Sequence, residues 1–383
     1  MDHSADSEHV LESLSTSVPL FDPSSLPLKG WCTGSREDPL TGLIAFPDFH
    51  SSLPRELAAT LTGGGMAGLA IGDVDGLKQH VEQANATDPD CYGHLAGNKV
   101  MARLGAVTRE WFRQQSFAAG CAATFGGDEV IIAAAIGSPA TFLRSVADLR
   151  DRLAAALPCA VSFALAIVAA GHLPARREGN RWKHAFTDGL LAAVDRCLFT
   201  HKAARRAEGG RGGTIAATAI PATDGADVSA ALLPLPDGAE TLHVLARPTS
   251  LAGRTALLLP CAGPAGLRGR RVRVSYPEVG ARTEVVVALN GQAAIPAVAQ
   301  PEPTGPLPLA LRAIRPPAVR GVPGDLAAAL ERAGLDWAVL PAHEQTQMLH
   351  LITESATETI RAARITAVID AVATHHAHPR SHP

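Results

Sequence analysis

The chain has 383 residues, enough for two domains and a small third. A formal net charge of −3 excludes an overall basic field, so no nucleic-acid partner is expected. Six scattered cysteines with no C-x-x-C pair argue against a zinc site or a disulfide framework, and point to free buried thiols in a reducing compartment.

Residues 1–36 are polar and Ser/Pro-rich and read as a flexible leader. Asp2, Glu8 and Glu12 stand where a signal peptide would carry positive charge, so the expected location is cytoplasmic. From about residue 38 strands and helices alternate. A helix over Pro54–Leu61 precedes a strand over Gly68–Val74. A second helix runs from about Gly97 to Gln114, with Val100, Leu104, Val107 and Trp111 at helical spacing. Apolar β-type residues flank Gly126-Gly127, the pattern of a hairpin. A helix over Pro139–Leu157 follows, with Phe142, Val146, Leu149 and Leu153 on one face. Ala160–Val168 reads as a buried central strand. The surrounding apolar stretch, Ala154–Ala170, is too short and too interrupted by Pro158 to span a bilayer, so no membrane partner is expected. A last helix covers about Thr187–Arg206. This order predicts an α/β sandwich, a mixed sheet with helices on one face, over residues 37–213.

Glu208–Gly213 is a Gly-rich break, and 214–239 reads as a linker. Short β-rich runs at Leu242–Ala246, Ala256–Leu259, Arg271–Tyr276 and Glu284–Leu289 predict a small β-rich domain over 240–315. Residues 316–383 hold the end of a Pro-rich linker (301–323), helices over Gly324–Ala333 and His343–Ala373, and a tail with His375, His376, His378 and His382. Met348, Ile352, Ala356, Ile360 and Val368 fall on one face of the long helix. That face either packs on its own domain or docks a protein partner through 343–373.

Two acidic turns carry the chemistry. Asp73-Val74-Asp75 ends a predicted strand, and Gly126-Gly127-Asp128-Glu129 forms a hairpin tip. Carboxylates from distant segments at one sheet edge suit metal-assisted phosphoryl transfer, in which oxygen ligands hold Mg²⁺ against nucleotide phosphates. Taken alone, Asp128-Glu129 would equally serve to solvate a hairpin tip.

Four motifs in order resemble the GGDEF family, the diguanylate cyclases: Asp38-Pro39-Leu40-Thr41-Gly42-Leu43, Asp73-Val74-Asp75-Gly76-Leu77-Lys78, Gly93-His94-Leu95-Ala96-Gly97 and Gly126-Gly127-Asp128-Glu129-Val130. Ala193–Lys202 looks like the family's last helix. The resemblance implies a palm/ferredoxin-like fold and a catalytic set of Asp73, Asp128 and Glu129. It implies Mg²⁺ or Mn²⁺ held by Asp73, Asp128, Glu129 and the Val74 carbonyl. Phosphates would lie on Gly76, Leu77 and Lys78, against Gly126 and Gly127, and under Lys202 and Arg206, one turn apart on a helix. Asp75 serves the site or the turn geometry alone. The implied reaction is attack of a ribose 3′-oxygen on an α-phosphate with loss of pyrophosphate, run by a homodimer holding one purine nucleoside triphosphate (GTP or ATP) per subunit.

Departures from the family pattern fall around the base and the regulatory positions. Val81 and Asn98 stand where the family reads guanine with Asn and Asp, beside His94, so base selectivity is expected to change. An insertion within Glu82–Cys91 would overhang this pocket, with Asn85 and Asp88 as substitute readers or as plain loop residues. Thr124 replaces an Arg, and Phe117 and Gly120 replace the Arg-x-x-Asp inhibitory site, so no inhibitory site is expected. Two functions follow: a Mg²⁺-dependent nucleotidyl cyclase making a cyclic dinucleotide, or a catalytically degenerate nucleotide sensor that signals through its C-terminal half.

Overall fold

Side chains alternate across a strand, and two sets of apolar residues claim the two faces of the first half's sheet. In this computed structural model, which describes residues 30–377 apart from 89–92, 211–212, 224, 252–253, 265–268, 278, 297–304, 315–320 and 356, strand β2 is Met66–Val74. Its Ala67, Leu69 and Ile71 join one buried cluster, while Ala70 and Val74 join the other. β1 (Ile44–Ala45), β3 (Ala119–Thr124), β4 (Glu129–Ile136), β5 (Val161–Val168) and β6 (Ile215–Thr218) complete this half in the order β1-β3-β4-β2-β5-β6. β2, β3, β4 and β5 pair antiparallel, whereas β1–β3 and β5–β6 are parallel, so the sheet is mixed as expected.

Helices cover both faces, not one. α1 (Phe46–Thr62) and α5 (Arg181–Ala207) bury Phe49, Leu53, Leu190 and Val194 on one side. α3 (Leu95–Gln114) and α4 (Pro139–Ala156) bury Val100, Leu104, Phe142 and Val146 on the other. β5 is buried along all eight residues, and a strand covered on both sides requires this double layer. α1 starts at Phe46 and runs through Pro54, where the sequence suggests a start. The stripe Phe49, Leu53, Leu57 and Leu61 buries one face along its length, which outweighs the proline's lost hydrogen bond. α2 (Leu77–Thr87) takes up Glu82–Thr87, so the first part of the insertion is helix rather than loop; residues 89–92 lie outside the described residues.

The Asp38–Leu43 motif is an architectural knot here. The Asp38 Oδ1 accepts from the Leu40 and Thr41 amides and from the Thr41 hydroxyl, at 3.2, 2.8 and 2.8 Å. The turn then docks its Thr41 carbonyl so closely on Gly105 of α3 that a Cβ there would overlap it.

The segment read as a linker contains β6, which pairs parallel with both β5 and β7 (Thr241–Leu251). β7 begins a ring. It pairs with β12 (Leu307–Ala313), β12 with β9 (Arg270–Tyr276), and β9 with β10 (Gly280–Leu289). β10 pairs with β11 (Gln292–Pro296), β11 with β8 (Arg254–Ala262), and β8 returns to β7. Every pairing in the ring is antiparallel, so the β-rich region is a closed six-stranded barrel filled by Val244, Leu257, Leu259, Val272, Val274 and Leu311. One apolar cluster runs from the sheet into the barrel, and residues through Ala313 form one compact unit. β12 lies within the stretch read as Pro-rich linker.

Residues from Ile314 onward form a second unit. The single helix expected over His343–Ala373 is two helices, α7 (Ala342–Thr353) and α8 (Glu358–Ala377), which with α6 (Gly324–Ala333) enclose Leu326, Leu330, Leu340, Ile352, Val368 and Val372. The apolar face proposed for a partner is thus largely spent inside the unit, although Ile360 is exposed. Ala356 and the histidines past 377 lie outside the described residues. Among the described residues no helix is long and apolar enough to cross a membrane.

Gly105→Ala forces a methyl group into the Thr41 carbonyl and is expected to cost on the order of 2 kcal/mol, lowering the melting midpoint by several degrees in calorimetry. Gly189→Ala, on α5 with open space at its Cβ, should cause no such drop.

Candidate functional site: a carboxylate rim around a buried lysine

Register brings the two acidic turns together. Asp73, near the end of β2, lies directly opposite Glu129, the first residue of β4. The Val74 amide donates to the Asp128 carbonyl at 3.1 Å, and the Asp75 amide donates to the Ala160 carbonyl at 2.7 Å. The hairpin needs its glycines, since Gly126 has φ +143° and Gly127 φ +90°, a range that L side chains rarely adopt. Met101 of α3 lies beneath Gly127. Thr124, buried, closes the hairpin base by donating its hydroxyl to the Glu129 carbonyl at 2.9 Å.

Lys202 reaches this rim from α5. Its side chain is 5% exposed, and its Nζ pairs with Asp75 Oδ1 at 2.8 Å and also with Asp73 Oδ1. Ser162 of β5 donates its hydroxyl to Asp75 Oδ2 at 2.6 Å, fixing that carboxylate from the other side. Asp75 is therefore a full member of the rim.

The charges do not balance. Burial raises the Asp73 carboxyl above its ordinary value, Lys202 pulls it back, and Asp128 and Asp75 push it up further. Glu129 is pushed up to about 7, first by burial and then by the negative charges of Asp73, Asp195 and Asp128, with Lys202 opposing. Asp195, inside the Ala193–Lys202 stretch but given no role there, adds its charge to the rim. It lies two turns before Lys202 on α5, so helical spacing alone would have flagged it.

The other expected residues fall on α2, α3, α5 and at the start of β3. Gly76 takes φ +73° and leads into α2, whose first amides, from Leu77 and Lys78, receive no side-chain cap. Lys78 is exposed and loosely paired with Glu82 at 3.9 Å. Val81 of α2 packs where a Cβ on Gly97 would come within 3.3 Å, and Asn98 and His94 are exposed at the start of α3. Asn85 donates to the Gly93 carbonyl at 2.9 Å, tying α2 to that loop. Arg206 is exposed and, unlike Lys202, makes no contact with the carboxylates. Phe117 stacks among Trp111, Phe112 and Phe142, and Gly120 packs against the Ala133 carbonyl.

As a donor set the rim suits a hard divalent cation, because anionic oxygens outnumber the ammonium and still repel one another. Among the described residues, however, no three His, Cys, Asp or Glu side chains are disposed as a ligand group. Lys202 instead draws Asp73 and Asp75 to itself.

No family model matches the chain. A diguanylate cyclase, DgcP of Pseudomonas aeruginosa, is 33% identical over 173 residues, which is 44% of this chain and only 23% of that relative's length. Solved structures include the coiled coil and GGDEF domain of DgcB from Caulobacter crescentus in complex with c-di-GMP, with 20% identity, 47% of this chain, 84% of that one and TM-score 0.35. The FimX GGDEF domain from P. aeruginosa gives 17% identity, 47% and 99% coverage, and TM-score 0.34.

A carboxyl raised from 4.5 to about 7 by folding favours the folded chain when protonated, so its contribution fades as pH rises from 4.5 to 7. In metal-free buffer Glu129→Gln should therefore raise the melting midpoint at pH 8 by a few degrees and leave it nearly unchanged at pH 4.5. Equal shifts at both pH values would contradict the repulsion.

Proposed function

This chain is a divergent member of the GGDEF family, and on that premise we propose that residues 37–213 form a Mg²⁺-dependent nucleotidyl cyclase joining two purine nucleoside triphosphates into a cyclic dinucleotide. The observation that carries the reading is the register of Asp73 against Glu129, with the Asp128 carbonyl tied to the Val74 amide. It gathers acidic side chains from two distant segments at one open rim.

Asp73 and Asp128, with the Val74 carbonyl, would hold the divalent ion, with Glu129 beside them. Once bound, such an ion lowers the pKa of a ribose 3′-hydroxyl and screens charge on the phosphates. Glu129 would accept a hydrogen bond from that hydroxyl. The uncapped amides of Leu77 and Lys78 and the bare backbone of Gly126 and Gly127 would take phosphate oxygens. Lys202 would exchange its bonds to Asp73 and Asp75 for the leaving diphosphate, and Arg206 would reach the same group from one turn on. A 3′-oxygen–phosphorus bond forms as the α–β anhydride breaks, and pyrophosphate leaves. Each subunit would bind one nucleotide, so turnover needs a homodimer. Val81 against Gly97 gives the base an apolar wall, and exposed Asn98 both donates and accepts, which suits a relaxed purine choice between GTP and ATP. The setting expected for such a messenger-forming enzyme is the cytoplasm.

The ion pairs of Lys202 favour a second reading, a catalytically degenerate nucleotide sensor in which the ammonium has taken over the cation's place. Purified full-length chain with Mg²⁺ and GTP or ATP should release pyrophosphate, and Asp128→Asn should lower the rate by about 10² or more. Mass spectrometry of the products identifies the base. Binding of nucleotide with no pyrophosphate from any of the four ribonucleotides would select the sensor.

A further inference from the structure

The outer face of the barrel carries a row of side chains that neither the fold nor the rim uses. On β12, Leu309 and Leu311 point inward, so Arg312 points out. On β9, Val272, Val274 and Tyr276 point inward, so Arg271, Arg273 and Ser275 point out. Register sets Arg312 directly opposite Arg273. The same register continues to Thr241 of β7 on one flank and Thr283 of β10 on the other. Four neighbouring strands thus present Thr-Arg-Arg-Thr in one line, with Arg271 two residues along β9 and Ser275 two residues the other way.

Like charges directly opposite each other in a sheet destabilise it. Natural sheets ordinarily offset such a pair with a carboxylate, but among the described residues none forms an ion pair with Arg271, Arg273 or Arg312. The hydrogen bond that orders this row is from Arg312 Nε to the Thr241 hydroxyl, at 2.6 Å, which leaves the outer edge of the guanidinium facing solvent. The positive field is felt nearby. Half-buried His243, next but one to Thr241 on the same strand face, is held below its ordinary pKa first by burial and then by the charges of Arg205, Arg312 and Arg150. The chain as a whole is acidic, so this concentration of guanidinium groups is local.

We propose that this row is a second anion site, one that binds the diphosphate group of a small phosphate ester or of free pyrophosphate across Arg312, Arg273 and Arg271. Two guanidinium forks side by side match two sets of phosphate oxygens, and the threonine and serine hydroxyls supply neutral donors at the edges. Three forks running both along and across β9 serve adjoining phosphoryl groups better than a single one. The bound anion would cancel the Arg312–Arg273 repulsion and so stabilise the barrel on binding. The inference does not rest on the cyclase reading, since its site lies on other strands and its readout is binding.

Titration calorimetry of the full chain without divalent ions, using pyrophosphate, GTP and inorganic monophosphate as separate probes, tests it. Pyrophosphate binding is expected, weaker as salt rises from about 50 to about 200 mM, and Arg273→Gln/Arg312→Gln should weaken it about tenfold or more. The double variant should melt no lower than the parent, because a repulsion has gone. Lys202→Gln, which alters the carboxylate rim, should leave this binding in place. GTP binding alongside pyrophosphate names a nucleotide as the source, whereas pyrophosphate alone names the free diphosphate. If the double variant does not fold, Arg271→Gln, at the end of the row, should still weaken binding measurably. Binding lost in Lys202→Gln but intact in the arginine variants would overturn the proposal. Absence of heat with pyrophosphate, or tight binding of an RNA oligomer but of no small probe, would overturn it as well.

Discussion

A buried ammonium paired with two carboxylates, with two more close by, is the constraint on which the first half of this protein turns. Lys202 can be 5% exposed only because Asp73 and Asp75 neutralise it, and those two can lie so near Asp128 and Glu129 only because Lys202 is there. Removing one partner from such a set leaves an uncompensated charge out of water, at a cost of several kcal/mol. The balance is nonetheless incomplete, as the raised Glu129 carboxyl shows. That surplus of negative charge around one buried lysine is what the proposed reading asks of the rim.

The backbone holds that rim rigidly. β2 lies between β4 and β5, so Asp73 is fixed by the hydrogen-bond ladders on both sides. Ser162 sets Asp75 from β5, and α5 carries Lys202 across the same face. The residue before it, His201, meets His243 of β7 edge to face, with ring centroids 6.0 Å apart. Burial first, and then His243, pushes His201 down to about 4, so it is neutral near pH 7. The lysine that reaches the carboxylates is thus anchored one residue away on the barrel's first strand, through neutral rings in van der Waals range. The barrel is part of the frame around the site, since β6 and β7 continue the same sheet into it.

Much of this was legible in the residues. The acidic turns, the hairpin glycines and the strongly periodic helices came out within a few residues of their positions, because each is a local pattern with a local cause. Pro139–Ala156 shows its buried face in Phe142, Val146, Leu149 and Leu153, spaced as a helix demands. Errors gathered where tertiary contact overrides a local rule. Pro54 looks like a helix start until the stripe on either side of it is buried. The long C-terminal helix looks continuous until α7 and α8 fold back to share one small core.

The sequence by itself determined which residues have the chemistry to form a site: two acidic turns, glycines free to take positive φ, and a lysine on a late helix. Only the tertiary structure decided that Lys202 engages Asp73 and Asp75 while Arg206 stays in solvent, and that Asp195 adds its charge to the rim. It alone closed six scattered β-runs into a barrel joined to the sheet, and set Arg312 opposite Arg273. The physical reason is range. Turn chemistry and helical spacing act between neighbours in the chain, whereas strand register and the field of a buried charge act between residues that folding brings together.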